Sequence, residues 1–252
     1  DFVAIARSFA ADVEAAGGTI HLDTEVRAIR RGHGTIDVQT DSWVHHVGEL
    51  VICAGLQADR VGQQIDGHES PRIVPFRGEY MAVHPTKRDL VRGMVYPVPD
   101  PQYPFLGVHF TRTVAGGLEV GPNAVLALKR EGYHRYDISP ADLRAALKWP
   151  GLWKLAGRHW RTGVEEMWGS MSTRAYMARA SRYVPEIGPG DVKRATVGIR
   201  AQALDKDGSL VDDFRIYSED GVVSVRNAPS PAATSSLAIA EYIVDQMGPV
   251  TP

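Results

Sequence analysis

Charged and titratable side chains stand inside several strand-like runs, where they could carry acid–base chemistry or bind an acid group. His109 alternates with apolar neighbours, so its imidazole faces away from them and could act as a base in a cleft. Arg200 follows a β-like run and a glycine, and its guanidinium could hold a carboxylate through two parallel hydrogen bonds. Arg77 and Arg112 could hold a second acid group. The alternative is that these are structural or surface residues, and the residues themselves leave both interpretations open.

Two turns could bring the backbone close to an anionic ligand. The apolar run at 50–53 is typical of a strand buried on both faces, and it ends in the small residues Ala54 and Gly55. A second apolar run, at 222–225, leads through a turn into a helical pattern that Ser230 can cap and Pro231 can open. Free N–H groups at a helix start favour negative charge. We expect this helix to pack through a face formed by Ala233, Leu237, Ala240, Val244 and Met247.

Composition argues against several functional classes. The 252-residue chain is 44% hydrophobic and 23% charged, as is typical of a soluble globular protein. Its net charge of −2 argues against nucleic acid as a partner. The single cysteine, Cys53, excludes an internal disulfide and a cysteine-built zinc site. The sequence has no metal-ligand cluster and no G-x-G-x-x-G, G-x-S-x-G or P-loop motif. No apolar stretch reaches the roughly 18 residues of a membrane span, and a cytosolic location is favoured.

The order of the elements predicts one domain interrupted by another. Residues 1–71 combine a helix with short strands at 19–22, 25–30, 35–40, 43–47 and 49–53. Residues 72–190 hold β-like runs followed by a block of predicted helices at 140–148, 151–160, 163–171 and 173–180. Strand and helix patterns return in 191–252. We therefore expect a mixed α/β fold with these three segments as its parts. In the helical block, Trp149, Trp153, Trp160 and Trp168 are expected to be packing residues. Because the chain opens on a helix, we also expect residues that precede Asp1 to be missing.

Six motifs, in order along the chain, resemble those of FAD-dependent oxidoreductases of the glycine oxidase and D-amino-acid oxidase superfamily. Within it the chain is most similar to the L-2-hydroxyglutarate oxidase/dehydrogenase family. The motifs are Pro-Phe-Arg-Gly-Glu-Tyr at 75–80, Tyr-Pro-Val-Pro-Asp at 96–100, the segments 104–112 and 120–133, Gly-Ile-Arg-Ala-Gln at 198–202, and the segment 227–236. The resemblance implies a Rossmann-like FAD-binding domain, in 1–71 and 191–252, interrupted by an antiparallel-sheet substrate domain in 72–190.

The resemblance also implies roles for individual residues. Val26 matches the position beside the adenine half of FAD, and Ala54 with Gly55 matches the turn beside the pyrophosphate. The segment that meets the flavin contains Asn227, Ser230, Ala232, Ala233 and Thr234. Arg200 matches an arginine that holds the substrate carboxylate, although Ala201 replaces the proline that usually follows it.

The implied activity is oxidation of a 2-hydroxy dicarboxylate, L-2-hydroxyglutarate, to 2-oxoglutarate by hydride transfer to flavin N5. His109 would take the hydroxyl proton, Arg200 would bind one carboxylate, and Arg77 or Arg112 would bind the other. Oxygen or a quinone would accept the electrons, and a peripheral contact with the inner face of a membrane is compatible with the latter. An amine oxidase that acts on glycine or sarcosine and a non-catalytic domain are the alternatives. Because the dinucleotide turn would precede Asp1, we expect the chain as given to bind FAD poorly, which flavin absorbance would test.

Overall fold

The computed structural model describes residues 1–32, 34–98, 107–229 and 232–247. In chain order its helices and strands are α1 (Phe2–Ala15), β1 (Val26–Arg31), β2 (Ile36–Thr40), β3 (Val44–Val47), β4 (Leu50–Ile52), α2 (Ala58–Asp66), β5 (Arg72–Val83), β6 (His109–Arg112), β7 (Leu118–Gly121), β8 (Val125–Leu126), α3 (Pro140–Leu147), α4 (Pro150–Met171), α5 (Thr173–Ala180), β9 (Val192–Leu204), β10 (Arg215–Glu219), β11 (Val222–Asn227) and α6 (Ser236–Met247). Among these helices, none has both the length and the hydropathy to cross a bilayer.

The chain divides into two compact units. The first comprises Asp1–Glu69 and Asp212–Pro252, and the second comprises Ser70–Val211. The second unit therefore includes β9, whereas the sequence placed everything from 191 onwards with the first. The reason is strand pairing, because β9 runs antiparallel to β5 from Arg72↔Leu204 to Val83↔Val192. The assignment of the units to cofactor and substrate stays a prediction.

The first unit contains two small sheets. Strands β1, β2 and β3 form an antiparallel sheet, and a second sheet has the order β10-β11-β4. Strands β11 and β4 are parallel, with Ser224 opposite Ile52, so their carboxyl ends meet at one edge. The expected strand at 19–22 is wrong, since those residues form no regular element. Strand propensity is realised only where another strand is available to pair with it.

A buried ion pair joins β11 to α2. Arg226, which is 1% exposed, donates to both carboxylate oxygens of Asp66, at 2.8 and 2.6 Å, and to the backbone oxygens of Asp59 and His68. Gly62 makes this approach sterically acceptable, because an added Cβ would lie 2.6 Å from Arg226 Nε. Burial is the largest single effect and tends to raise the pKa of Asp66, but the hydrogen bonds from Arg226 and the backbone N–H of His68, together with the charge of Arg226, keep that pKa below its ordinary value. Stability from the pair is therefore present at neutral pH and lost as the pH falls through the lowered pKa.

Helix α6 packs mostly through a different face from the predicted one, although Met247, a member of the predicted face, does pack against the sheet. It begins at Ser236, and Ile239, Ile243 and Met247 pack against the β11 side chains of Val223 and Val225. Two members of the predicted face are largely exposed, at 69% for Leu237 and 62% for Val244. The helix carries apolar side chains around most of its circumference, so periodicity alone did not select the buried face. The predicted cap at Ser230 and Pro231 lies outside the described residues.

The second unit is built on a five-stranded sheet with the order β6-β7-β5-β8, in which β9 also pairs with β5. The pairing between these strands is antiparallel, which confirms the predicted mixed fold with an antiparallel-sheet domain. One face of the sheet is covered by α5, whose Tyr176 and Met177 pack with Met81, Phe110 and Val120 in a buried cluster. This cluster fixes the side-chain alternation of β5, β6 and β7.

The sequence predicts two separate helices in the region that α4 covers. In the structure they form one helix, and non-helical backbone dihedrals at His159 mark a kink within it. Trp149, just before α4, is buried with Leu152 and Leu155 as expected. The other three tryptophans pack less than expected, because Trp153, Trp160 and Trp168 are each about three-fifths exposed, at 61, 60 and 61%. Trp160 nevertheless lines a cavity together with Leu152 and Leu155.

Candidate active site

His109 and Arg200 lie on the same face of the five-stranded sheet. Residues directly opposite each other in an antiparallel pair point to the same side. Arg200 on β9 is opposite Phe76 on β5. His109 on β6 is opposite Gly121 on β7, and the pairing of β7 with β5 places Gly121 opposite Tyr80. Phe76 and Tyr80 are four residues apart on one strand and therefore share a face. The sheet thus brings together two of the residues that the sequence singled out.

His109 is arranged as a neutral base. Its Nδ1 lies 3.1 Å from the carbonyl oxygen of Gly107, which can only accept, so Nδ1 carries the proton. Nε2 of the neutral ring then holds a lone pair that can accept a proton. Burial lowers the pKa of His109, and the positive charge of Arg200 lowers it further, against the opposing effect of the Gly107 hydrogen bond. The imidazole is therefore uncharged at neutral pH.

Two tyrosines complete this part of the face. The ring of Tyr96 stacks on His109, with centroids 4.5 Å apart and an interplanar angle of 26°, and so fixes the plane of the imidazole. Burial raises the pKa of Tyr80, although the charge of Arg200 opposes the shift, so its hydroxyl keeps its proton and can donate. Sequence reasoning missed both residues. Side-chain alternation along 75–80 could have placed Tyr80 on the same face of the strand as Gly78. It could not have placed Tyr80 near Arg200, because that proximity depends on how β5 and β9 pair.

Arg200 stands beside an open stretch of the β9 backbone. The residue is exposed to solvent, yet surrounding protein atoms remove enough hydration from the guanidinium to lower its pKa, while Tyr80 raises it. Two residues along β9, Gly198 faces Gly78 of β5, so neither strand carries a side chain at this pair. A Cβ added at Gly198 would meet nothing within 4 Å, whereas one added at Gly78 would lie 2.9 Å from Cβ of Pro122, so Pro122 covers the sheet at Gly78. A small acid held by Arg200 could therefore lie on the backbone of β9 at Gly198.

Arg77 and Arg112 lie on the opposite face. Arg77 is opposite Ile199, one position away from Arg200, and its guanidinium is 3.2 Å from the buried carboxylate of Glu79. Arg112 lies three residues after His109 on β6 and donates to the backbone oxygen of Arg88, at 3.0 Å. Its guanidinium is also 3.4 Å from the Asp89 carboxylate. The sheet thus does not bring these two arginines together with His109 and Arg200.

Most of the predicted cofactor residues follow two neighbouring parallel strands. Ala54 and Gly55 follow β4 after one intervening residue, Cys53, and Asn227 ends β11, so both turns start from the same edge of the β10-β11-β4 sheet. Gly55 has a φ of +49° and open space where a Cβ would be, so its backbone is accessible to a bound group. Ala232, Ala233 and Thr234 form turns just before α6. This edge is where ligands bind in open α/β sheets.

The remaining cofactor candidates differ in their surroundings. Val26 begins β1, which belongs to the other sheet of the first unit, and is 36% exposed. The side-chain amide of Asn227 donates to the backbone oxygen of Asp213, at 2.8 Å, which ties the end of β11 to the chain before β10. Ser230 lies outside the described residues. Over the described ranges, no group of three or more His, Cys, Asp and Glu residues could hold a metal ion.

Sequence comparison identifies relatives over nearly the whole chain. The family model of FAD dependent oxidoreductases (DAO) matches residues 1–246. The chain is 44% identical to the mitochondrial L-2-hydroxyglutarate dehydrogenase of Caenorhabditis elegans, over 98% of this chain and 59% of that protein. It is 42% identical to the mitochondrial human L-2-hydroxyglutarate dehydrogenase, over 98% of this chain and 57% of that protein. The chain therefore spans somewhat less than three-fifths of these relatives' length, at 59 and 57%.

Solved structures agree on the fold. The FAD-bound, dithionite-reduced L-alpha-glycerophosphate oxidase of Mycoplasma pneumoniae superposes with a TM-score of 0.65 at 20% identity, over 94% of this chain and 53% of that one. Glycine oxidase of Bacillus cereus superposes with a TM-score of 0.59 at 15% identity, over 96% of this chain and 54% of that one. At this identity the likeness concerns architecture alone.

Proposed function

Because the chain belongs to the DAO family of FAD-dependent oxidoreductases, we propose that it takes part in the FAD-dependent oxidation of L-2-hydroxyglutarate to 2-oxoglutarate. The identity of 44 and 42% to two L-2-hydroxyglutarate dehydrogenases supports this substrate over the other hydroxy acids. The observation that carries the proposal is a neutral imidazole on the same sheet face as an exposed arginine, which lies beside the open backbone at Gly198. A 2-hydroxy acid needs both a base for its hydroxyl and a cation for its carboxylate.

The first unit would hold the cofactor. The open backbone at Gly55 and the shared edge of β4 and β11 suit a group that approaches the main chain closely. Ala54 and Gly55 would face the pyrophosphate, and Asn227 with the turn at 232–234 would face the flavin ring. Val26 would lie beside the adenine half. FAD, when bound, supplies the acceptor for the hydride that leaves the substrate carbon.

The second unit would bind the substrate and move the proton. Arg200 would hold the carboxylate next to the hydroxyl-bearing carbon through its two parallel N–H groups. His109 would accept the hydroxyl proton at Nε2, and stacking on Tyr96 would keep the ring in place for this transfer. The protonated hydroxyl of Tyr80 would donate to a substrate oxygen. Arg77 and Arg112 are not part of this proposed site, because they contact Glu79 and Asp89 on the other face.

A substrate panel separates this function from its alternatives. The flavin-loaded enzyme would be assayed with L-2-hydroxyglutarate, glycine, sarcosine and D-alanine, with a dye as the electron acceptor. We expect turnover of L-2-hydroxyglutarate alone. Oxidation of an amino acid in preference to the hydroxy acid would indicate an amine oxidase. A flavin-loaded enzyme that oxidises none of the four would argue against this proposal.

The electron acceptor is proposed to be oxygen or a membrane quinone, and a membrane contact would favour the quinone. Exposed Trp153, Trp160 and Trp168 on α4 support such a contact, since tryptophan is enriched where protein meets the lipid interface. Lys154 and Arg158 on the same helix are exposed as well and would attract anionic lipid. Co-sedimentation with anionic vesicles, lost when the three tryptophans are replaced by serine, is the expected result. Equal sedimentation of the variant would remove this support.

A further inference from the structure

The face of the sheet opposite His109 carries a concentration of positive charge. Glu79, which is 5% exposed, has three guanidinium groups around its carboxylate. Arg77 lies 3.2 Å from Glu79 Oε1, Arg135 lies 3.5 Å from the same oxygen, and Arg194 lies 3.5 Å from Oε2. The side-chain amide of Asn123 also donates to this carboxylate, at 3.2 Å. One carboxylate therefore faces three cations.

A fourth guanidinium, that of Arg179, lies near this group at the end of α4. Arg135 and Arg194 both donate to the carbonyl oxygen of Ser170, the latter at 2.6 Å. The preceding residue, Gly169, would place an added Cβ 2.8 Å from Nη2 of Arg179. Arg179 itself forms an ion pair with Glu166. Three guanidinium groups thus surround Glu79, and a fourth, paired with Glu166, lies beside the same turn of α4, so four cations face two carboxylates in a partly buried place.

Two nitrogens in this group are buried without a hydrogen-bond acceptor. They are Nε of Arg77 and Nη2 of Arg179. A buried donor that belongs to a charged group and has no acceptor is costly, and folded proteins rarely leave one. The Arg77 side chain is only 10% exposed, whereas those of Arg135 and Arg194 are 33% and 42% exposed. The group is therefore deep at Arg77 and open to solvent at the other two arginines.

We propose that Arg77, Arg135, Arg179 and Arg194 form a binding site for a small oxyanion of the phosphate or carboxylate class. Such an anion supplies the charge that Glu79 and Glu166 do not balance, and its oxygens match the fork geometry of guanidinium groups. It enters from the exposed side, past Arg135 and Arg194. Because these arginines lie on the face opposite His109 and Arg200, the site is separate from the proposed substrate site and does not depend on the proposed function.

Chemical labelling locates the site without any variant. Phenylglyoxal, which modifies accessible arginines, would be applied to the chain with and without inorganic phosphate, at constant ionic strength set with chloride, and the products mapped by mass spectrometry. We expect phosphate to protect Arg135 and Arg194 and to leave Arg158 and Arg161, which are exposed on α4, unchanged. Equal labelling of the cluster with and without phosphate would overturn the proposal.

Affinity provides the second measurement. Isothermal titration with phosphate, and separately with acetate, would compare the native chain with the double variant Arg135→Gln/Arg194→Gln and the control Arg158→Gln/Arg161→Gln. We expect the cluster variant to bind at least about tenfold more weakly, since it loses charge-assisted hydrogen bonds to the anion. The control should stay within twofold of the native chain.

The outcomes of the titration are distinct. Binding of phosphate and acetate to the same arginines supports the whole class, and binding of phosphate alone narrows it to phosphate. Equal affinity in the native chain and the cluster variant, or no binding above chloride, would refute the site. If circular dichroism shows that the double variant is unfolded, Arg194→Gln alone, at the most exposed of the three Glu79 partners, tests the same expectation.

Discussion

The two faces of the sheet in the second unit use the same residue type for different purposes. Arg200 and Arg77 are one register position apart on paired strands, yet Arg200 lies beside the open backbone at Gly198 and Arg77 faces a buried carboxylate. His109 and Arg112 differ in the same way on β6. Because strand side chains alternate, a shift of one residue decides whether a cation faces the proposed substrate site or the buried carboxylate of Glu79. Residue type and proximity in sequence therefore do not identify a site on a sheet.

The largest effect that tests this contrast is on catalysis. His109→Ala in the flavin-loaded enzyme should lower turnover of L-2-hydroxyglutarate by about 10²–10⁴-fold, because the general base is lost. Substrate binding should change little, since Arg200 remains. Steady-state kinetics and a substrate dissociation constant measure the two. Turnover within about tenfold of the native enzyme would show that His109 is not the base.

On the other face, the expected effect is on folding. Glu79→Gln removes the carboxylate that three arginines share and should lower the free energy of unfolding by about 3–5 kcal/mol, the range for breaking a buried ion pair. Urea denaturation measures it. The matched control is Glu165→Gln, an exposed position on α4, where a change within about 0.5 kcal/mol is expected. A loss as small as that of the control would mean that Glu79 does not hold the arginines.

Arg200→Lys should act on binding. The lysine keeps the charge but loses the two parallel N–H groups, so the substrate dissociation constant should rise by about tenfold or more. Turnover at saturation should change less than affinity. Fluorescence titration of the flavin-loaded enzyme would report the binding. An unchanged dissociation constant would argue against Arg200 as the carboxylate anchor.

The coupling of Arg200 to His109 can be tested without substrate. Burial and the Arg200 charge both lower the pKa of His109, so an NMR titration should find it below the ordinary histidine value of about 6.5. Arg200→Gln removes one of these causes and should move the pKa upward. If turnover requires the neutral imidazole, the pH at which turnover falls to half on the acid side should also lie below about 6.5. If the pKa of His109 does not change in Arg200→Gln, the two side chains are too far apart to interact.

The smallest effect is expected at Arg112. Arg112→Gln should change the substrate dissociation constant by less than about threefold and the free energy of unfolding by about 0.5 kcal/mol or less. Its contacts, the carbonyl of Arg88 and the exposed carboxylate of Asp89, lie away from the proposed site. A loss of affinity comparable to that of Arg200→Lys would instead assign Arg112 as the second carboxylate anchor, as the sequence suggested.

Sequence reasoning succeeded where local pattern is sufficient. It predicted α5 at its observed bounds and β1–β4 to within two residues at each end, because each of these carries its own periodicity and turn residues. It also selected His109 and Arg200, which strand register brings to one face. It did not place β9 with β5, because pairing between strands more than a hundred residues apart in sequence has no local signal. Because the sequence carries no local signal for strand pairing, it also could not distinguish Arg77 from Arg200.

Buried polar contacts were the other part that the sequence did not indicate. Arg226 reads as an ordinary charge at the end of a strand, and Glu79 as an exposed strand residue, yet both are almost inaccessible to solvent. Their burial depends on partners from distant segments, such as Asp66 for Arg226 and Arg194 for Glu79. Helix α6 shows the same dependence for apolar residues, since β11 determines which of its faces is covered.

The close approach of Gly62 to Arg226 has an evolutionary consequence. Any side chain at position 62 would collide with the guanidinium stem, while a shorter residue at 226 would leave Asp66 without its cation and open a void beside the helix. Neither position is therefore expected to vary on its own. Across a sequence alignment, a larger residue at 62 should appear together with a smaller, uncharged one at 226 and a neutral one at 66, as a linked triplet of exchanges.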